Sequence, residues 1–237
     1  MTMNPNKTYY GDSRLNYYCA YCGSLAETED HVPSRCFLDK PYPQDLPVVP
    51  CCKKCNHDFS IDEEYVTCFI DCMKAQTTNP SKIQREKTRK TLLHSTKLQE
   101  RIAMQIRDFG GTTIYDFEKE RFEKVICKLA YGHLAYENDS LSWDSTYNIS
   151  MWLLSNMSDV QKHSFFEPYT GTILPEVCSH GLSHIALHYG EDGVHSFSSC
   201  WITVQKDRYS YCVSPDSNKV KFIIADFLAA EVHIIET

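Results

Sequence analysis

Cys19-Ala20-Tyr21-Cys22 and, thirty residues on, Cys52-Lys53-Lys54-Cys55 are two C-x-x-C pairs in one short stretch of chain. Each pair can offer two thiolates to one tetrahedral ion at about 2.3 Å per bond, so the four together predict a four-cysteine Zn²⁺ site. Cys51 could replace Cys52, but only Cys52 keeps the two-residue spacing to Cys55. Cys36, Cys68, Cys72, Cys127 and Cys200 read as small core hydrophobes. Prolines at 33, 41, 43, 47 and 50 exclude helix from most of the segment around the pairs, leaving short strands and turns. A helix is expected next. Ser60-Ile61-Asp62-Glu63 fits a capping box, and Ile61, Tyr65, Phe69 and Cys72 would then share a face. Thr77-Thr78-Asn79-Pro80-Ser81 breaks that helix, which puts a module boundary at 78.

Working outward, residues 82–109 carry a helical pattern that ends at Gly110-Gly111. A second helix is expected over 117–136, with Phe122, Val125, Ile126, Leu129 and Leu134 as its apolar stripe. Segments 147–154, 183–189, 197–205, 208–213 and 220–225 are rich in β-branched and aromatic residues and predict an antiparallel sheet; Gly190-Glu191-Asp192-Gly193 is the clearest turn. The expected class is α+β: an N-terminal zinc-stapled module over 1–78, then an α+β domain over 79–237.

Composition narrows the setting. The chain has 237 residues, 42% hydrophobic and 23% charged, which suits a soluble globular protein and favours neither disorder nor a fibre. No apolar run reaches bilayer length, and Met1 to Arg14 is polar with no hydrophobic signal core, so no membrane partner and a cytoplasmic location are expected. In a reducing compartment twelve cysteines favour thiolate ligands over disulfides. The net charge of −7 excludes a surface basic all over, although a phosphate site needs only local positive charge.

Between the pairs stands Glu29-Asp30-His31-Val32-Pro33, and Asn56 follows the second pair directly. A structural zinc knuckle has no use for an Asp-His dipeptide. Phosphodiester hydrolysis needs a general base for water and a metal to stabilise charge on phosphorus. The run C-x-x-C, Asp-His-Val-Pro, C-x-x-C-Asn and Asp62-Glu63-Glu64-Tyr65 resembles the HNH endonucleases of the ββα-metal group over residues 17 to 66. Residues 46–65, LPVVPCCKKCNHDFSIDEEY, are similar to one bacterial HNH subgroup, and the same skeleton occurs in phage junction-cleaving nucleases. The resemblance implies that His31 activates water while Asp30 and Asn56 hold a catalytic Mg²⁺ or Mn²⁺. It implies nucleic acid, DNA before RNA, as substrate.

Two features depart from the family pattern. The middle asparagine of the family's name is absent between His31 and Cys52, where Asp45 stands near its place and could tie the hairpin loop. The Lys-Gly that often follows the last Cys-Asn is replaced by His57-Asp58-Phe59, so His57 and Asp58 could join the metal shell. A regular strand would point Asp30 and His31 to opposite faces, so work at one site calls for a bend or bulge there.

Seven basic residues against two acidic ones give residues 82–101 a local net of +5, which makes Arg85, Arg89 and Lys90 candidates for phosphate contact. His180, His184 and His188 fall four apart, a metal spacing on a helix, but their neighbours alternate as in a strand. Residues 79–237 leave open a homo-oligomer or a regulatory partner. The rival reading from another class is a zinc-stapled interaction or nucleic-acid-binding module without catalysis.

Overall fold

The computed structural model describes residues 7–8, 13–172, 174, 179–191, 195–215 and 218–235. Residues 1–6 and 9–12 of the polar start, and Asp192 and Gly193 of the expected turn, lie outside the described residues. In chain order the elements are β1 (Thr28–His31), β2 (Val48–Cys51), α1 (Lys53–Ala75), α2 (Glu86–His94), α3 (Thr96–Gln105), β3 (Ile106–Phe109), β4 (Thr112–Tyr115) and α4 (Lys119–Asn138). There follow β5 (Thr146–Leu153), α5 (Asp159–Phe166), β6 (Thr170–Gly171), β7 (Ile185–Tyr189), β8 (His195–Ser199), β9 (Ile202–Gln205), β10 (Tyr209–Val213), β11 (Lys219–Ile224) and β12 (Leu228–Ile235). With 41% of the chain helical and 29% in strands, and every ladder between these strands antiparallel, the class is α+β.

The chain forms two compact units. The larger holds residues 1–57 and 126–237, the smaller residues 58–125, and α1 and α4 each run from one into the other. The smaller unit is built on Tyr65, Phe69, Phe117 and Phe122, whose rings sit with centroids 4.7 to 6.4 Å apart. Of the face expected on α1, Tyr65, Phe69 and Cys72 are buried and Ile61 is 52% exposed. The helical stretch read over 82–109 is two helices, α2 and α3, followed by a strand: Ile106–Phe109 pairs with Thr112–Tyr115 around Gly110 and Gly111, both at positive φ. Those glycines close a hairpin instead of ending a helix, because a two-residue turn with φ positive at both positions matches strand twist.

In the larger unit a five-stranded antiparallel sheet has the order β5-β12-β11-β10-β9. β12, absent from the expected strands, pairs along its full length with β5 and from Leu228 to His233 with β11. The stretch read as one strand over 197–205 is two, β8 in a three-stranded sheet β6-β8-β7 and β9 in the larger sheet. α4 buries Ile126, Leu129 and Leu134, and in the smaller unit Phe122 and Val125.

His133 of α4 has no solvent exposure; its Nε2 is 2.9 Å from the Tyr209 hydroxyl and its ring stacks on Tyr211 at 3.8 Å. Burial, with the charge of Lys128 adding, pushes its pKa down to about 3. A histidine neutral in the fold and titrating near 6.5 when unfolded contributes stability that is present above about pH 6.5 and lost as pH falls towards 3. Urea titrations at pH 7 and pH 4.5 should show His133→Gln losing less stability on acidification than the wild type, by about 3 kcal/mol. Equal losses would mean that His133 already binds its proton in the fold.

Candidate metal centre

Two backbone hydrogen bonds bring the cysteine pairs together. Ala20 donates its N–H to the Pro50 carbonyl at 2.9 Å and Glu27 donates to that of Cys51 at 3.1 Å, so the first knuckle lies along the end of β2. The knuckle closes through Cys19 N–H to Ser24 O at 2.6 Å and Gly23 N–H to Cys19 O at 3.0 Å. Gly23 has φ of +72°, and a Cβ there would stand 2.9 Å from the Trp143 ring, so both conformation and space require glycine.

α1 begins at Lys53, not at the Ser60 capping box, and Ser60 is exposed within the helix. The cap is sulfur: Cys55 N–H points at Cys52 Sγ at 3.3 Å. This satisfies one of the N–H groups that a helix start leaves free, and the positive end of the helix favours a thiolate there. With no proline between Pro50 and Pro80, nothing stops the helix from starting at the second cysteine pair.

The four sulfurs of Cys19, Cys22, Cys52 and Cys55 all lie within 4.8 Å of one another, and Cys22 Sγ is 3.8 Å from Cys52 Sγ. A tetrahedral ion with bonds of about 2.3 Å needs sulfur-to-sulfur edges of about 3.8 Å, so the cluster could hold a zinc ion. A hydrogen bond from Cys51, and then the backbone N–H groups of Cys52, Tyr21 and Cys22, pull Cys19 down to about 4 against its burial. Burial raises Cys52, and burial followed by the Cys22 contact raises Cys55. Deprotonating four sulfurs this crowded takes a cation to neutralise them. Cys51 stands beside the cluster, buried, its thiol donating to the Cys52 carbonyl. Among the other cysteines, Cys68, Cys72 and Cys127 are buried, Cys36 is half-buried and Cys200 is exposed.

Asp30 and His31 sit at the end of β1. Its register against β2 is unbroken, with Thr28 opposite Cys51 and His31 opposite Val48. Alternation therefore sends Thr28 and Asp30 to one face and Glu29 and His31 to the other, with no bulge at the dipeptide. On the Asp30 face, Asn56 in the first turn of α1 donates through Nδ2 to Thr28 Oγ1 at 3.3 Å. Asp30 Oδ2 accepts from the Tyr21 hydroxyl at 2.8 Å and lies 2.6 Å from Lys128 Nζ. Asp30 Oδ1 and Asn56 Oδ1 take no hydrogen bond among the described residues, and both are the hard oxygen donors that Mg²⁺ or Mn²⁺ prefers.

His31 is half-buried, and its Nδ1 is buried without a hydrogen-bond partner among the described residues. Burial, then the Arg35 guanidinium, push its pKa below the usual imidazole value, against the opposing pull of Asp30, the Pro47 backbone and Glu29. The ring is thus neutral at pH 7 and able to accept a proton.

Asp45 is exposed, and its carboxylate makes no hydrogen bond to the hairpin loop among the described residues. His57 and Asp58 are exposed on α1. His180 and His184 lie in a 3₁₀ turn with His184 Nδ1 2.9 Å from the buried Glu137, while His188 bonds Ser198 on β8; the described residues hold no metal cluster besides the four cysteines. The residues that sequence reasoning missed here are Tyr21, Thr28 and Lys128. Tyr21 lies inside the first C-x-x-C pair, the one local signal available.

In the basic segment Arg89 is half-buried and Lys90 is exposed beside Glu86 at 2.7 Å. Arg85 is turned inward, 5% exposed in its side chain, with its guanidinium 3.2 Å from Asp71, to which Thr88 also donates. Neutralising Arg85 removes a charge partner from a buried carboxylate, and the burial of its side chain sets Arg85 apart from the exposed Lys90 as a candidate phosphate contact. Arg85→Ala is expected to cost about 3 to 5 kcal/mol in chemical denaturation, and Lys90→Ala less than about 1 kcal/mol. A mild Arg85→Ala would place the guanidinium in solvent.

No protein-family model, no curated protein and no solved structure matches the chain. Of the HNH resemblance, what the structure carries is the four-cysteine cluster. Among the described residues no helix is long and apolar enough to cross a membrane.

Proposed function

We propose that the protein is a metal-dependent HNH endonuclease that hydrolyses phosphodiester bonds, in DNA before RNA. One observation supports this reading above the others. A strand ending in Asp30-His31, a second strand and a helix with Asn56 in its first turn follow one another, with one cysteine pair before the first strand and the other directly before Asn56. His31, neutral through burial, accepts a proton from water. Asp30 and Asn56 would hold Mg²⁺ or Mn²⁺, which when bound supplies positive charge to the phosphate oxygens. Thr28 holds the Asn56 amide and Tyr21 the Asp30 carboxylate, so both side chains are oriented by neighbours. Arg89 and Lys90 are the proposed phosphate contacts on α2, since Arg85 is occupied inside.

A specific observation favours the non-catalytic alternative, a zinc-stabilised binding module. Lys128 already balances the charge of Asp30, and β1 directs His31 to the opposite face. Incubating supercoiled plasmid with purified, zinc-loaded protein separates the two readings. Nicked or linear product that requires added Mg²⁺ or Mn²⁺ supports the nuclease. Intact plasmid at every metal concentration, with zinc bound, leaves the binding module.

A further inference from the structure

Lys128 lies on α4, far along the chain from the cysteine-rich segment, yet its side chain is only 2% exposed. Its ammonium is 2.6 Å from Asp30 Oδ2, donates to Ser34 Oγ and stands 5.4 Å from the centroid of the Tyr21 ring. One turn later, Gly132 lets the helix lie against this corner. A Cβ there would come within 3.0 Å of Val32 and 3.3 Å of the Tyr21 hydroxyl. The ammonium thus has a shaped seat with an acceptor, an aromatic face and a counter-charge, not a chance surface pairing.

Burying an ammonium is costly, and here Asp30 is its charge partner. A divalent ion approaching the unclaimed Asp30 Oδ1 would meet a fixed positive charge bound to the same carboxylate, and like charges at that range repel strongly in a low-dielectric site. We propose that Lys128 and a divalent cation compete for the Asp30 carboxylate, so that loading the ion and releasing the ammonium are one exchange. This rests on the reading of Asp30 as a metal ligand and makes Lys128 the residue that sets how much Mg²⁺ or Mn²⁺ the site needs. Lys128 is a positioning residue in this account: it touches the carboxylate and not the substrate.

The test is Mn²⁺ binding by calorimetry and by thermal shift, on zinc-loaded wild type, Lys128→Met, Ser34→Ala and the double variant Asp30→Asn/Lys128→Met. Lys128→Met keeps length and apolar packing but frees the carboxylate. It should melt below the wild type without Mn²⁺, gain more from Mn²⁺ than the wild type does, and bind it about 10- to 100-fold tighter. The double variant should lose the response. Ser34→Ala, which removes an ammonium acceptor and leaves Asp30 intact, should tighten binding in the same direction by less, and it carries the test if Lys128→Met fails to fold. Mn²⁺ binding equally to wild type and to whichever single variant folds would overturn the exchange while leaving plasmid cleavage, and so the nuclease reading, intact. Failure of every variant to bind Mn²⁺, together with uncut plasmid, would remove the metal site and the nuclease reading as well.

Discussion

His31→Ala is expected to cut plasmid about 10²- to 10⁴-fold more slowly than the wild type, with zinc content unchanged, the loss typical when a general base is removed. The substitution touches no proposed metal ligand, and among the described residues the ring's Nδ1 has no hydrogen-bond partner to strand. The pH profile should carry the same signature. Because burial lowers the pKa of His31, cleavage should persist below the pH at which an ordinary imidazole charges, and fall only once the ring is protonated. Asn56→Ala should behave differently, needing more Mg²⁺ and recovering in part when it is added in excess, which should not rescue His31→Ala. Wild-type cleavage by zinc-loaded His31→Ala would take the base out of the mechanism. The regular ladder of β1 then names the residues to examine instead, those on the Asp30 face: Thr28, Asn56 and Tyr21.

Losing zinc should have the largest effect on stability. The protein is expected to purify with one zinc per chain, and Cys52→Ser to lose the ion and unfold the N-terminal segment of the larger unit. Structural zinc supplies on the order of 10 kcal/mol to small modules that depend on it. Cys52 carries a second duty, since its sulfur caps α1, so its replacement removes a ligand and a helix cap together. Cys51→Ser is the control: Cys51 is the nearest rival by sequence, but its sulfur stands outside the cluster of four and donates to a carbonyl. Elemental analysis and thermal melting of the two variants should separate them clearly. A folded wild type without zinc, or equal zinc loss in both variants, would remove Cys52 from its assigned place.

What could be read without coordinates was local. The two-residue spacing of each cysteine pair specifies ligand geometry within one turn of chain, so the cluster of Cys19, Cys22, Cys52 and Cys55 was legible from sequence alone. The antiparallel strands around 147–154, 208–213 and 220–225 were legible for the same reason: alternation and β-branched content act residue by residue. β12 was not, because Leu228-Ala229-Ala230 has weak strand propensity, and it is a strand through pairing with β5 on one side and β11 on the other. The start of α1 was misread because a Ser-x-x-Glu box is a recognised cap and a cysteine sulfur is not.

The α+β class and the two-residue spacing within each cysteine pair were determined by the sequence itself, since each depends on residues a few places apart. Only the tertiary structure decided that Asp30 faces Thr28, Tyr21 and Lys128 while His31 faces away, and that Arg85 is an interior charge. Lys128 stands 98 positions after Asp30, and Arg85 stands 14 after Asp71. Nothing in the neighbours of a lysine on an amphipathic helix marks it as buried. The burial exists because a distant carboxylate meets it in the fold, and charge pairing in a low-dielectric interior is a property of three-dimensional proximity rather than of sequence spacing.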